Sequence, residues 1–310
     1  GEPKSIFLEI FFKAIKNNNF KRPLILIASQ KLISQQMKKL KFNFKVNLID
    51  SQNIDINKLQ KKMINLIDVK FEFQKTFDKI SNKSSPYIAE SFKIALKIIK
   101  KNNLPGLING PVSKKHFLKE KFLGITEYLS KKTNNKDTVM LIYNEKLSVS
   151  PLTTHLPLKD VNKHLSQKKI IKHVELIKKF YKKKFKKNPK IAITGLNPHC
   201  ESNYKTSEED KIIKPAIKNL VKKKIKIYGP FAADTIFMRE QFKKYDVILG
   251  MYHDQVLTPL KSIFGFDAIN ITIGLPFIRV SPDHGPNSLM LGKNLSNPKS
   301  LIKALKFLDL

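Results

Sequence analysis

The sequence predicts an α/β protein built on a largely parallel sheet, and three observations predict it. Short apolar runs rich in β-branched residues alternate with amphipathic stretches from one end of the chain to the other, as strands joined by crossover helices do. At 310 residues the chain can form one large or two ordinary domains with sizeable cores. Hydrophobic residues make up 41%, a globular value, and no run approaches the roughly 18–20 apolar residues of a membrane span.

The elements follow in order. PLILIAS (23–29) reads as a strand and precedes a helix over 30–40; KVNLID (45–50) is the next strand. SPYIAESFKIALKIIKKNN (85–103) carries apolar residues at helical spacing, and GLING (106–110) reads as a buried strand behind it. DTVMLIYN (137–144) and KLSVSPLTTH (146–155) read as neighbouring strands. A helix over 167–184 leads to KIAITGLN (190–197), one over 206–223 to KIKIYG (224–229), and one over 233–243 to DVILGMY (246–252). His253-Asp254-Gln255 then opens a helix carrying Lys261, DAINITIG (267–274) is the last strand, and a helix over 298–308 closes the chain. There is no internal repeat, and the lysine-rich 181–189 segment, a solvated helix end, is the one low-complexity patch.

A formal net charge of +34 points first to nucleic acid. The residue types argue otherwise. Arg22, Arg239 and Arg279 are the only arginines and Trp is absent, whereas nucleic-acid recognition uses arginine and aromatic platforms. Lysine, asparagine and isoleucine are abundant together and share A/T-rich codons, so a nucleotide bias accounts for the charge without a polyanionic partner. The same bias makes each surviving arginine informative. One cysteine, Cys200, excludes an intrachain disulfide framework and fits a reducing cytoplasm. No signal-peptide pattern is present, and the chain, opening on Gly1 rather than Met, is read as lacking its start.

Seven histidines fall into two groups. His116, His164 and His173 lie in lysine-rich helical sequence and read as surface residues. His155 ends KLSVSPLTTH, His199 follows KIAITGLNP and His253 follows DVILGMY. Three strands thus deliver a histidine just past their carboxyl ends, where sheets of this class bind ligands. Any one of them alone reads better as structural; three in one topological position read as a joint site. Neutral imidazole is the commonest metal ligand, and three with an open position describe a catalytic divalent-metal centre. Cys200, beside His199, reads as a small packed residue rather than a ligand. His284 sits apart in SPDHGPN.

THLPL (154–158), GLNPH (195–199), ADT (233–235), YHDQ (252–255), the NIT and GLPFIR segments within 270–281, and DHG (283–285) resemble the 4-hydroxythreonine-4-phosphate dehydrogenase family of vitamin B6 biosynthesis, in the right order. GEPKSIFLEI (1–10) lies over the family's Gly-Asp-Pro-rich start and NGPVSKK (109–115) over its Gly-Pro-x-x-Lys segment. The resemblance implies a fold of the isocitrate and isopropylmalate dehydrogenase type, with a strand ahead of Gly1. Residues 1–125 plus 285–310 would form the dinucleotide-side domain, and 126–284 the domain carrying metal ligands and dimer contacts. The implied activity is oxidation and decarboxylation of 4-phosphohydroxy-L-threonine to 3-amino-2-oxopropyl phosphate. It would use NAD or NADP and one divalent metal (zinc, magnesium or cobalt), in a homodimer with its active site at the interface.

His155, His199 and His253 match the family's metal ligands, and Thr126, Lys261, Asn270 and Arg279 its substrate-binding residues. Arg279 fits independently, since a planar fork suits a phosphate or carboxylate. Asp234 and Asp254 become candidates for orienting the histidines, although helix capping explains each equally well. With Lys261 they form the expected catalytic set. His284, Gly285 and Asn287 fall where the dinucleotide would lie.

The sequence also departs from the family. Ile125 stands where a substrate-contacting histidine is usual, and Ser5 and Phe7 replace small glycines. In GPNSLMLG (285–292), Pro286 removes an N–H and Leu289 replaces a carboxylate near the dinucleotide. No G-x-G-x-x-G is present, as in this family. Ile125 therefore keeps open a sister dehydrogenase acting on 4-phosphoerythronate or phosphothreonate. A basic nucleic-acid-binding protein is the third reading; no membrane partner is expected.

Overall fold

The computed structural model describes every residue except 119–120, 123, 136, 201–205, 266, 283 and 310, so Asp283 of the DHG segment lies outside the described residues. The chain divides into two units, Gly1–Lys132 with Phe277–Leu310, and Thr133–Pro276. The first unit contains α1 (Phe7–Lys16), β1 (Ile25–Ala28), α2 (Gln30–Lys39), β2 (Val46–Leu48), β3 (Ile64–Asp68), α3 (Ser85–Asn102), β4 (Gly106–Ile108) and α4 (Ile125–Lys132). The second contains β5 (Val139–Tyr143), β6 (Ser148–Pro151), α5 (Gln167–Phe185), β7 (Ile191–Thr194), α6 (Lys214–Lys222), β8 (Ile227–Phe231), α7 (Ala233–Ile236), α8 (Arg239–Phe242), β9 (Val247–Gly250), α9 (His253–Phe264) and β10 (Ile269–Ile273). The chain returns to the first unit with β11 (Ile278–Pro282) and α10 (Lys299–Asp309).

In the first unit β1, β3 and β2 form a parallel sheet in that order, and β4 pairs in parallel with β11. Both β1 and β4 sit at the end of their strand order. An apolar cavity of about 420 Å³ is lined by both, with Phe92 and Ile99 of α3 and Leu301 of α10 closing it. Ser29 caps α2 by accepting from the Leu32 N–H at 3.4 Å, the role its position after the PLILIA run suggests.

In the second unit the strands run β10-β5-β6-β9-β7-β8. The pairings β6·β9, β9·β7 and β7·β8 are parallel, and the two pairings of β5 are antiparallel. The α/β, largely parallel architecture expected from the sequence is the one observed. On α9, Val256, Leu257 and Leu260 enter a core shared with Val149, Ile248 and Ala192, each worth roughly 1.5–3 kcal/mol by burial. That packing leaves the opposite side of α9, with Asp254 and Lys261, exposed.

Several local expectations change. The helix expected over 206–223 is a wide π turn, Glu209–Ile213, continuing into α6. The helix expected over 233–243 breaks at Met238, whose backbone is extended with ψ 142°, into the short α7 and α8. α1, β3, α4 and β11 add elements that the periodicity did not single out. His173, read as a surface residue, is buried on α5 with Ile170, Val174 and Ile177, and its Nε2 lies 2.7 Å from Ser150 Oγ. Among the described residues no helix is long and apolar enough to cross a membrane.

Candidate active site

The register sets the site. Pro151 of β6 lies opposite Gly250 of β9, and Ile193 of β7 opposite Leu249, so the three strands end nearly level. Their loops therefore leave from one edge of the sheet, carrying His155, His199 and His253. The tail of β6 stays stitched to the tail of β9. Leu152 N–H donates to Gly250 O at 2.8 Å, Thr153 N–H to Met251 O at 3.2 Å, and Thr153 Oγ1 to the same carbonyl at 2.7 Å. These bonds carry His155 to the start of α9, where its ring centre is 5.8 Å from that of His253.

His253 is the first residue of α9, and its Nδ1 lies 2.6 Å from Asp254 Oδ1. A carboxylate can only accept, so Nδ1 carries the hydrogen and the lone pair of the neutral ring is left at Nε2. Two imidazoles on one tetrahedral ion at about 2.0–2.1 Å have ring centres about 5 Å apart, so the His155–His253 pair fits two ligands of such an ion. His199 does not join them. It is 77% exposed with Nδ1 4.0 Å from Asp234 Oδ2, beyond hydrogen-bond range. Among the described residues of one chain, no group of three or more His, Cys, Asp or Glu side chains is placed to hold a metal ion.

Two buried side chains missed by the sequence reading shape these loops. Gln255, two residues after His253, accepts from Met251 N–H at 2.7 Å and Thr194 Oγ1 at 2.9 Å, and donates to Gly195 O at 2.7 Å. It ties the end of β7 to the end of β9. Glu209, with 0% exposure, accepts from Leu196 N–H at 2.8 Å, Asn197 N–H at 2.9 Å and Asn197 Nδ2 at 2.8 Å. Burial alone would raise its carboxyl, but the hydrogen bonds from Asn197 and Leu196 outweigh that and hold it below the usual glutamate range. The turn it holds is strained: His199 and Cys200 follow one another with φ of 57° and 59°, a left-handed backbone costing roughly 1–2 kcal/mol per residue. Gly195 is required beneath it, since a Cβ there would sit 2.7 Å from Cys200 Sγ and 2.9 Å from Glu209 Oε1. The one signal for Glu209 in the sequence was an acidic run, Glu208-Glu209-Asp210, in a lysine-dominated region.

Asn270, on β10, has a buried Oδ1 with no hydrogen-bond partner among the described residues, an acceptor left for something else. Lys261 is exposed two turns along α9 from His253. In the first unit, Arg279 of β11 is 5% exposed, and its Nε donates to Asn109 Oδ1 at 2.6 Å. Burial pushes its guanidinium down to about 10, with Glu127 of α4 acting the other way, so it remains a cation at neutral pH. Thr126 and Ile125 open α4 beside Glu127, both partly exposed. His284 Nδ1 lies 3.0 Å from Gly285 O, and a Cβ on Gly285 would meet nothing within 4 Å, so the loop reaching Asn287 has open space at Gly285.

The profile of pyridoxal phosphate biosynthetic protein PdxA matches residues 19–308. The chain belongs to that family. It is 38% identical over 312 residues to a 4-hydroxythreonine-4-phosphate dehydrogenase of Sulfurihydrogenibium sp. (strain YO3AOP1), covering 99% of this chain and 94% of the relative. A protein of the same name from Aquifex aeolicus is 33% identical, over 100% of this chain and 95% of the relative. The crystal structure of 4-hydroxythreonine-4-phosphate dehydrogenase from Klebsiella pneumoniae superposes with a TM-score of 0.85 at 26% identity, covering 99% of this chain and 95% of that one. The chain and its family share one architecture, and the family's members belong to vitamin B6 biosynthesis.

Proposed function

We propose that this chain is a metal-dependent 4-hydroxythreonine-4-phosphate dehydrogenase, oxidising and decarboxylating 4-phosphohydroxy-L-threonine with NAD or NADP in the cytoplasm. The observation that carries the reading is the His155–His253 pair, 5.8 Å apart, with Asp254 directing the second ring's lone pair away from itself. His155, His199 and His253 would hold one zinc, magnesium or cobalt ion. In the homodimer that the resemblance implies, one of the three imidazoles would come from a second copy. When bound, the ion supplies Lewis acidity that lowers the pKa of the substrate hydroxyl and steadies charge after carbon dioxide leaves.

The remaining work falls to this chain's side chains. Asp254 fixes the tautomer of His253, and Asp234 stands beside His199 for the same task. Lys261, Thr126, Asn270 and Arg279 bind the phosphorylated substrate, with the Arg279 fork on oxyanion oxygens and the lone Oδ1 of Asn270 accepting from a substrate donor. Lys261, a cation beyond the first turns of α9, is the proton-handling candidate. His284, Gly285 and Asn287 border the open stretch in which a dinucleotide would lie.

Reduction of NAD or NADP by purified protein with 4-phosphohydroxythreonine and Zn²⁺, Mg²⁺ or Co²⁺ tests the reading. Turnover that disappears in His253→Ala supports it, and no turnover with any metal or nucleotide removes it. Ile125 favours one second reading, a dehydrogenase of 4-phosphoerythronate or phosphothreonate. A preference for either in the same assay would establish that instead.

A further inference from the structure

We propose that Glu209 is a positioning residue, its buried carboxylate fixing the 195–200 turn and, through that turn, the aim of His199. The inference rests on the metal reading above and extends it to a residue that touches neither metal nor substrate.

Three observations carry it. Glu209 lies at the start of a π turn twelve residues from Asn197, and the bonds it accepts from this loop, at 2.8–2.9 Å, come from Leu196 and Asn197 alone. In a chain so rich in lysine, no lysine or arginine forms a salt bridge with it among the described residues. The carboxylate is satisfied by loop amides and serves the loop. Secondly, His199 itself offers no alternative anchor. Its ring is 77% exposed, its ion-pair partner among the described residues, Asp234, is 4.0 Å away, and its backbone sits in the left-handed region followed by a second left-handed residue. A conformation of that kind persists only when the surrounding structure over-determines it. Thirdly, the clamp is joined to the other histidine turn. Gln255 donates to Gly195 O and accepts from Met251 N–H, so the start of one loop and the end of β9 share one amide. Releasing Glu209 frees the turn at Leu196 and Asn197 while leaving Gly195 held.

Cys200 is the chain's only cysteine and is 9% exposed, which makes it a reporter of the turn. The experiment compares wild type, Glu209→Gln, Glu209→Asp and His199→Ala with Ile177→Val, a one-methylene change at a buried residue of α5. Two quantities are read: Co²⁺ affinity by titration calorimetry, and the rate at which metal-free protein reacts with a thiol reagent at Cys200. We expect Glu209→Gln to weaken Co²⁺ binding by about 10–100-fold, as loss of a ligand-orienting partner does, and to speed Cys200 modification at least tenfold. Glu209→Asp, one methylene short, should fall between, and Ile177→Val should match wild type in both. Wild-type values of both in Glu209→Gln would overturn the proposal. Were Glu209→Gln not to fold, Glu209→Asp with unchanged Co²⁺ affinity and thiol rate would overturn it equally. A wild-type protein whose Co²⁺ binding ignores His199→Ala would instead refute the metal reading. The thiol rate, measured without metal, would still show whether Glu209 fixes the turn.

Discussion

Lowering the pH below neutrality should unfold this protein partly through one residue, His173. Its imidazole is buried between α5 and β6, and desolvation, helped by the nearby Lys169 cation, pushes it down to about 3 from an ordinary value of 6.5. In the folded state the ring therefore stays neutral, held against Ser150 Oγ at 2.7 Å. The unfolded chain binds a proton at His173 as pH falls through 6.5, and the folded chain does so only near 3. Stability linked to this group is thus fully present above pH 6.5 and falls by about 1.4 kcal/mol per pH unit below it, down to about 3. At pH 5, 1.5 units below the unfolded value, the loss is about 2 kcal/mol. Other groups titrate in the same window, so the comparison that isolates His173 is wild type against His173→Gln, whose amide can still reach Ser150. Urea unfolding followed by circular dichroism between pH 7.5 and 5 should show wild type losing about 2 kcal/mol more than the variant. Parallel pH profiles for the two proteins would refute the reasoning.

Gly195→Ala should destabilise by about 1–3 kcal/mol in urea unfolding, since the new methyl meets Cys200 Sγ at 2.7 Å; an unchanged midpoint would show that the turn has slack. Arg279→Lys keeps the charge but loses the fork and the Nε bond to Asn109, so initial-rate kinetics should show KM rising roughly tenfold or more with a smaller change in kcat. Ile125→His should raise or preserve kcat/KM on 4-phosphohydroxythreonine; wild-type preference for 4-phosphoerythronate, reversed by this substitution, would change the substrate assignment while leaving the fold as it is.

What could be read without the structure follows from periodicity and from topology. DVILGMY, KIAITGLN and KLSVSPLTTH are apolar runs bounded by polar turns, and each became a strand ending near the histidine that follows it. β11 escaped because IRVSP mixes an arginine and a proline into a strand whose partner, β4, is some 170 residues away. α4 escaped because ITEYLSKK is short and its burial rests on Tyr128 and Leu129 alone. His173 was legible in principle. It sits three residues after Ile170 and four before Ile177, on the apolar stripe of α5, and the surrounding lysines obscured a position that helical spacing assigns to the core. Glu209 and Gln255 were not legible, because most of their partners are backbone amides and carbonyls, which leave no residue-type trace, and the side chains they also meet, Asn197 and Thr194, lie 12 and 61 residues away.

That difference bears on how the site achieves its geometry. The side chains of His155, His199, Asp234 and Asp254 are exposed, so burial does not fix their rotamers. The backbone beneath them is fixed by Thr153, Thr194, Glu209 and Gln255, all buried and all hydrogen-bonded across strand ends or turns. Accuracy is thus stored below the surface, where an unmade hydrogen bond costs about 1–3 kcal/mol, and not in the exposed rings. Stability and activity should therefore separate by layer. Substituting an exposed histidine should cost activity with stability changed by no more than about 0.5 kcal/mol, whereas substituting a clamp residue should cost both.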